Sequence, residues 1–175
     1  MPNLHPLLVH FPIGLLTIYA LLECMRFKRI LRLPYWFYVK GVLVIVGTVA
    51  SYPTLLTGTL IAPLLQGSAE TSALILRHSQ WAFGTVLTFT LLMLAYLFGW
   101  IKREGWGIAR TGILMRLRRG GIKYSDAILE TAVLPLLALF GLFAVTLAGA
   151  LGGSIVYGPD VDPFVKVIYG VFGPK

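Results

Sequence analysis

The chain has 175 residues, of which 57% are hydrophobic and 13% are charged, and its formal net charge is +8. An ordinary globular domain carries about 45–50% apolar and about 25% charged residues, so this chain has too few charges to cover a surface that faces water. The composition therefore excludes a soluble enzyme, a disordered tail and, with one cysteine, a disulfide scaffold. It predicts a single membrane domain.

Four stretches are long and apolar enough to cross the hydrocarbon layer, which takes about 20 residues per helix. Helix is the expected form because lipid offers no hydrogen-bond partner to exposed backbone groups. No strand-length alternation recurs as a barrel would require, and no long repeat is apparent. The predicted fold is all-α, a bundle of four transmembrane helices within residues 1–158. The predicted spans cover residues 7–25, 37–64, 73–101 and 129–157.

Prolines and glycines predict where these helices bend, end or approach one another. Pro12 should kink the first helix or leave its start irregular, Pro53 should bend the second helix, and Pro63 should end it. The fourth helix is rich in small residues, which favour close helix packing and could alternatively leave room for a flat prosthetic group. Its glycines are Gly141, Gly149, Gly152 and Gly153.

Basic residues are concentrated on one side of the predicted bundle. Twelve of the 15 lysines and arginines lie between the first and second helices or between the third and fourth. Because basic loops stay in the cytoplasm, both termini are predicted to face outward from a plasma (inner) membrane. Anionic lipid headgroups account for the charge, and nucleic acid is not a predicted partner. The twelve are Arg26, Lys28, Arg29, Arg32, Lys40, Lys102, Arg103, Arg110, Arg116, Arg118, Arg119 and Lys123.

Two segments are predicted to lie outside the spans. The basic connection between the third and fourth helices contains residues 113–119, which mix bulky apolar and cationic side chains as a short interfacial helix would. Gly120 and Gly121 should end that helix. The tail, residues 159–175, is too short for a fifth span and is expected to lie across the outer face or to dock on a partner.

The three histidines fall on one side of the predicted bundle. His5 and His10 begin the first helix, and His78 begins the third helix on the same side. Imidazole binds zinc, copper, iron and nickel, and one histidine from each of two helices could hold a haem iron. The alternative is that these rings only hydrogen-bond at headgroup depth.

The spacing decides which histidines could act together. His5 and His10 are about 140° apart around a helix, so a three-histidine copper or zinc site would need a non-helical start. A site of His10 and His78 needs no such distortion and is the predicted ligand pair. Arg77 could pair with a haem propionate. His5 would support the site, replace His10 as ligand, or accept a proton from a quinol.

The sequence resembles a family at three places. These are His-Pro-Leu-Leu-Val-His-Phe-Pro-Ile-Gly at residues 5–14, Arg77-His78, and Gly-Gly-Ser-Ile-Val-Tyr-Gly at residues 152–158. They resemble the bacterial and archaeal four-helix membrane proteins catalogued as domain of unknown function 2231. The resemblance implies the same fold, and the haem-c modules joined to some members suggest redox partners. It implies no established activity.

The chain also departs from that family pattern. Where relatives often carry an acidic residue near Gly58, this chain has residues 59–63 without an acid. Where relatives often have Glu after the glycine pair, Ser154 stands here. The departures favour a site that needs only imidazoles.

These observations predict a b-type haem-binding membrane protein that transfers electrons as a subunit of, or partner to, a respiratory or quinol-linked complex. The alternatives are a non-catalytic structural or assembly subunit and a histidine-based copper or zinc protein. Solute transport is disfavoured because Glu23 and Glu130 lie at helix ends rather than at the midplane. No catalytic residue is predicted: Ser79 beside His78 has no acid to complete a hydrolytic triad.

Overall fold

The computed structural model describes residues 4–25, 27–65, 67–106 and 112–174. Within these ranges the regular secondary structure is helical. The helices are α1 (His5–Cys24), α2 (Lys28–Leu31), α3 (Trp36–Leu65), α4 (Ala69–Arg103), α5 (Gly112–Leu129), α6 (Val133–Tyr157) and α7 (Pro163–Phe172). Of the basic residues predicted between helices, Arg26 and Arg110 lie outside the described residues.

Four of the described helices, α1, α3, α4 and α6, are long and apolar enough to cross a membrane. This confirms the predicted all-α bundle with four spanning helices and indicates a lipid bilayer as its environment. Large apolar side chains such as Leu60, Leu64, Phe83 and Leu136 are exposed on the outside of the bundle. In water such a surface would be unfavourable, whereas in lipid it faces acyl chains.

The two ends of the bundle differ in chemistry. The histidine end, where α1 and α4 begin and α3 and α6 end, carries His5, His10 and His78. The basic end lies opposite, next to α2 and α5, where α3 and α6 begin. Between them is a core that includes the Tyr19 ring, which meets Phe89 edge-on with centroids 6.1 Å apart.

Glycines bring neighbouring helices together within this core. A Cβ at Gly47 would lie 2.7 Å from a Leu16 methyl, and a Cβ at Gly141 would lie 2.8 Å from the Phe89 ring. Since lipid is as apolar as the side chains, membrane helices associate through such close packing rather than through a hydrophobic driving force. Gly141 therefore has the packing role that the sequence predicts for it.

The prolines and glycines interrupt the helices less than the sequence predicts. α1 is helical from His5 through Pro12, so its start is not irregular. The prediction that Pro63 ends the second span is wrong, because α3 continues to Leu65. A proline has helical φ already and deprives only one carbonyl, in the preceding turn, of its partner. That loss is small so close to a helix end.

The prediction that Gly120 and Gly121 end the interfacial helix is also wrong, because α5 runs through both glycines. Gly121 packs directly against the Phe98 ring of α4. One turn later, buried Ser125 donates a hydrogen bond to the Ala95 carbonyl at 2.8 Å. The glycine pair thus forms a contact surface for α4 instead of a helix end.

The predicted tail, residues 159–175, contains helix α7, which docks on the bundle's own histidine end. The Tyr169 hydroxyl donates to Glu70 at 2.6 Å, and the Phe172 ring meets Trp81 edge-on at 6.2 Å. The hydrogen bond to Glu70 raises the pKa of Tyr169 above its ordinary value. The tail is therefore part of the bundle's surface.

We expect an added methyl group on α6 to matter where the helix packs on Phe89 and not where it faces open space. Gly141→Ala should lower the free energy of unfolding by about 1–3 kcal/mol because the new Cβ overlaps the Phe89 ring. Gly149→Ala is the matched control: a Cβ there meets nothing within 4 Å, so helix propensity should leave stability unchanged or raised by up to about 1 kcal/mol. Thermal unfolding in detergent measures both variants. Equal effects would contradict the packing described.

Candidate functional site

His5, the first residue of α1, is held against α3. Its Nδ1 lies 3.0 Å from the Thr54 carbonyl and 3.2 Å from the Thr57 hydroxyl. A Cβ at Gly58 would lie 2.9 Å from Cε1 of the same ring. The imidazole therefore occupies space that only glycine leaves open at position 58.

His78, in the first third of α4, is held against α6 in the same way. Its Nδ1 lies 2.9 Å from the Ala148 carbonyl. A Cβ at Gly152 would lie 3.0 Å from Cε1 of the ring. Gly152, predicted as a packing residue of the fourth helix, thus accommodates the imidazole itself.

The two histidine contacts are copies of one arrangement. In both, the carbonyl that accepts the hydrogen bond lies four residues before the glycine that contacts the ring. The same spacing recurs deeper in the bundle. Leu16 lies eleven residues after His5 and contacts Gly47, which lies eleven residues before Gly58. Likewise Phe89 lies eleven residues after His78 and contacts Gly141, which lies eleven residues before Gly152. The α1–α3 pair and the α4–α6 pair therefore form a repeated unit that the sequence does not reveal.

The repeat brings His5 and His78 into one region of the histidine end. Each ring lies against a neighbouring helix, His5 against α3 and His78 against α6. His10 is placed differently: it is exposed, and its Nδ1 lies 2.6 Å from the Pro6 carbonyl of its own helix. Arg77 is likewise exposed beside His78. His5 and His78 thus each bond to a neighbouring helix, whereas His10 of the predicted pair bonds within its own helix.

The hydrogen bonds determine which ring nitrogen of each imidazole carries the hydrogen. A backbone carbonyl only accepts, so Nδ1 of His5 and Nδ1 of His78 both carry a hydrogen. In the neutral ring Nε2 is then the acceptor nitrogen. Metal-binding histidines are usually oriented by this same bond from the other ring nitrogen to a carbonyl or carboxylate. His5 and His78 each make this kind of bond to a backbone carbonyl.

The number of ligands limits what this site could hold. Within the four described ranges, no group of three or more histidines, cysteines or acidic residues lies together as a metal site would require. Of the described histidines, His5 and His78 bond to neighbouring helices and His10 bonds to its own helix.

A second polar centre lies at the basic end and was not predicted. Lys40, counted from the sequence among the loop cations, is only 7% exposed, and Glu23 is 3% exposed. Their charged groups are 2.6 Å apart, and the Tyr96 hydroxyl donates to the other Glu23 oxygen at 2.6 Å. The sequence signal was available: an acid ends the first apolar stretch and a base begins the second.

Comparison with protein-family models, curated proteins and solved structures finds no match to this chain. The resemblance to the family of unknown function therefore stays a prediction. Function has to be argued from the two polar centres.

Removing one partner of the buried ion pair should destabilise the bundle strongly. We expect Lys40→Met to cost about 3–5 kcal/mol, because it leaves the Glu23 carboxylate buried without its cation. The double variant Glu23→Gln/Lys40→Met should recover most of that loss. Thermal unfolding in detergent measures both.

Lys166→Met is the matched control, because the partners of the Lys166–Asp160 pair are 71% and 72% exposed. It should leave the melting temperature unchanged. A double variant that is no more stable than Lys40→Met alone would contradict the pairing.

Proposed function

We propose that this protein binds haem b through His5 and His78 and transfers electrons within a membrane. The observation that supports this is the repeated arrangement in which each ring donates from Nδ1 to a carbonyl of a neighbouring helix. It orients two imidazoles that come from different helices. The same assignment replaces His10 as the ligand from the first helix.

Ligand number favours haem over copper or zinc. Haem iron would need only one or two ligands from the chain, which His5 and His78 would supply. Zinc sites take three or four protein ligands, and blue-copper sites take two histidines with a thiolate. His5 and His78 would supply enough ligands for haem iron, but too few for such a zinc or copper site.

The chain's own residues would set the properties of the bound haem, which supplies one-electron chemistry. The carbonyls of Thr54 and Ala148 hold the ligand rings and raise their basicity. Gly58 and Gly152 keep those rings close to the neighbouring helices. Arg77, exposed beside His78, is suited to neutralise a propionate. These roles require no proton transfer.

We also propose the orientation. The basic end carries α2 and the cationic face of α5, so it faces the cytoplasm and anionic lipid headgroups. The histidine end and both termini then face outward from a plasma (inner) membrane. Electron donors and acceptors would approach from that side, and a respiratory or quinol-linked complex is the partner class proposed. A quinol near the haem would find His10 exposed as a proton acceptor.

Haem binding is tested by absorbance of the purified protein before and after dithionite. The expected result is a sharp α band on reduction, which is lost in both His5→Ala and His78→Ala. His10→Ala is the matched control and should keep the band, because that ring is exposed and bonded to its own helix. Thermal unfolding confirms that each variant is folded.

Other outcomes would replace the proposal. A band that disappears in His10→Ala and persists in His5→Ala would restore the ligand pair that the spacing favours. A colourless protein with stoichiometric copper or zinc would make it a metal-binding protein. A colourless, metal-free protein that co-purifies with respiratory subunits would make it a structural or assembly subunit.

The orientation is tested separately with the single cysteine. Cys24 is exposed at the basic end, so in intact cells a membrane-impermeant maleimide should leave it unlabelled until the cells are permeabilised. In a Cys24→Ser background, Asp160→Cys near α7 should be labelled without permeabilisation. The opposite labelling pattern would invert the proposed topology.

A further inference from the structure

A cavity of about 600 Å³ lies at the basic end of the bundle. Its walls come from the start of α3, the end of α4 and the end of α5, together with the segment that follows α2. The volume is within the range of pockets for small ligands, about 300–1,000 Å³. The cavity lies at the opposite end from the histidines, so haem binding does not account for it.

The cavity presents aromatic rings and two buried hydrogen-bond donors. Trp36, Phe37 and Tyr96 all line it. The indole N–H of Trp36 is buried and has no hydrogen-bond partner among the described residues. Lys40, which also lines the cavity, has three N–H bonds, of which one points to Glu23 at 2.6 Å. A bound molecule with acceptor oxygens could therefore accept hydrogen bonds from Trp36 and Lys40.

Charge argues for a neutral occupant. Lys102, one of the cations in the wall, is held by Asp126 at 2.7 Å and by Glu130 at 3.3 Å. Another, Arg103, lies over the Phe37 ring at 4.1 Å. Arg32 also lines the cavity, but the acids Asp126 and Glu130 line it as well, so the wall attracts an anion less than its basic surroundings suggest. It suits a flat apolar molecule with acceptor oxygens.

We propose that this cavity binds the head group of a membrane quinone. A quinone ring is neutral and flat, and its carbonyl oxygens are acceptors that the Trp36 and Lys40 donors could satisfy. Leu31 and Leu33, which line the cavity and are exposed, give the isoprenoid tail an apolar exit. Quinone binding at this site requires neither haem nor the histidine ligands, so it can be tested separately from the proposed function.

The test is a calorimetric titration of the full chain in detergent with a short-chain ubiquinone. We expect saturable binding that Trp36→Phe weakens about five- to tenfold, since that change keeps a ring and removes one hydrogen bond. Trp36→Phe should keep the melting temperature, because the indole N–H has no partner to lose. Trp106→Phe is the matched control: Trp106 is 54% exposed and does not line the cavity, so binding should not change.

Two further arms complete the experiment. The double variant Glu23→Gln/Lys40→Met should also weaken binding, and His5→Ala/His78→Ala should bind quinone as the unaltered protein does. Absence of saturable binding, or equal binding by Trp36→Phe and the unaltered protein, would overturn the proposal. So would displacement of the quinone by dioctanoyl phosphatidylglycerol at equal concentration, which would identify the cavity as a site for anionic lipid headgroups.

Discussion

The close approach of α1 to α3 and of α4 to α6 is the constraint on which the rest of this structure depends. In lipid, helices gain little from hiding apolar surface, and their association rests on close packing and on hydrogen bonds between helices. Gly47 and Gly141 provide that packing in the core, and Gly58 and Gly152 continue it at the histidine end. Only this approach lets an imidazole on one helix reach a main-chain carbonyl on the next.

The repeated unit also explains why the two ends of the bundle differ. At the histidine end, equivalent positions of the two units carry identical residues, His5 and His78, and the result is a pair of like groups. Eighteen residues along each helix, the equivalent positions carry Glu23 and Tyr96, which hydrogen-bond to each other. The two units thus carry identical residues at one end, and an acid, a phenol and a buried lysine at the other.

Hydropathy was sufficient to predict the four spans, because lipid imposes length and apolarity on each helix separately. The histidine pair was harder. Spacing alone separates His5 from His10 by about 140° on a helix, but it does not say which of the two faces the bundle. That choice depends on contacts with Thr54 and Gly58, which lie about fifty residues away in sequence and only meet His5 once the helices pack.

Other features depended on contacts that composition does not encode. From the sequence Lys40 was counted among the loop cations, whereas in the structure it forms an ion pair with Glu23. Gly121 was predicted to end a helix, whereas in the structure it packs against the Phe98 ring. The repeat is invisible to sequence comparison within the chain because few identities mark it, and the segments between its histidines and glycines differ in length.

The proposed haem site requires that His5 and His78 bind one haem as equivalent ligands. Electron paramagnetic resonance of the oxidised protein, purified from cells supplied with a haem precursor, tests this most directly. The claim predicts a low-spin ferric signal of bis-imidazole type that becomes high-spin when either ring alone is replaced by alanine. A low-spin signal that survives both replacements, or a haem iron that is high-spin from the start, would contradict it.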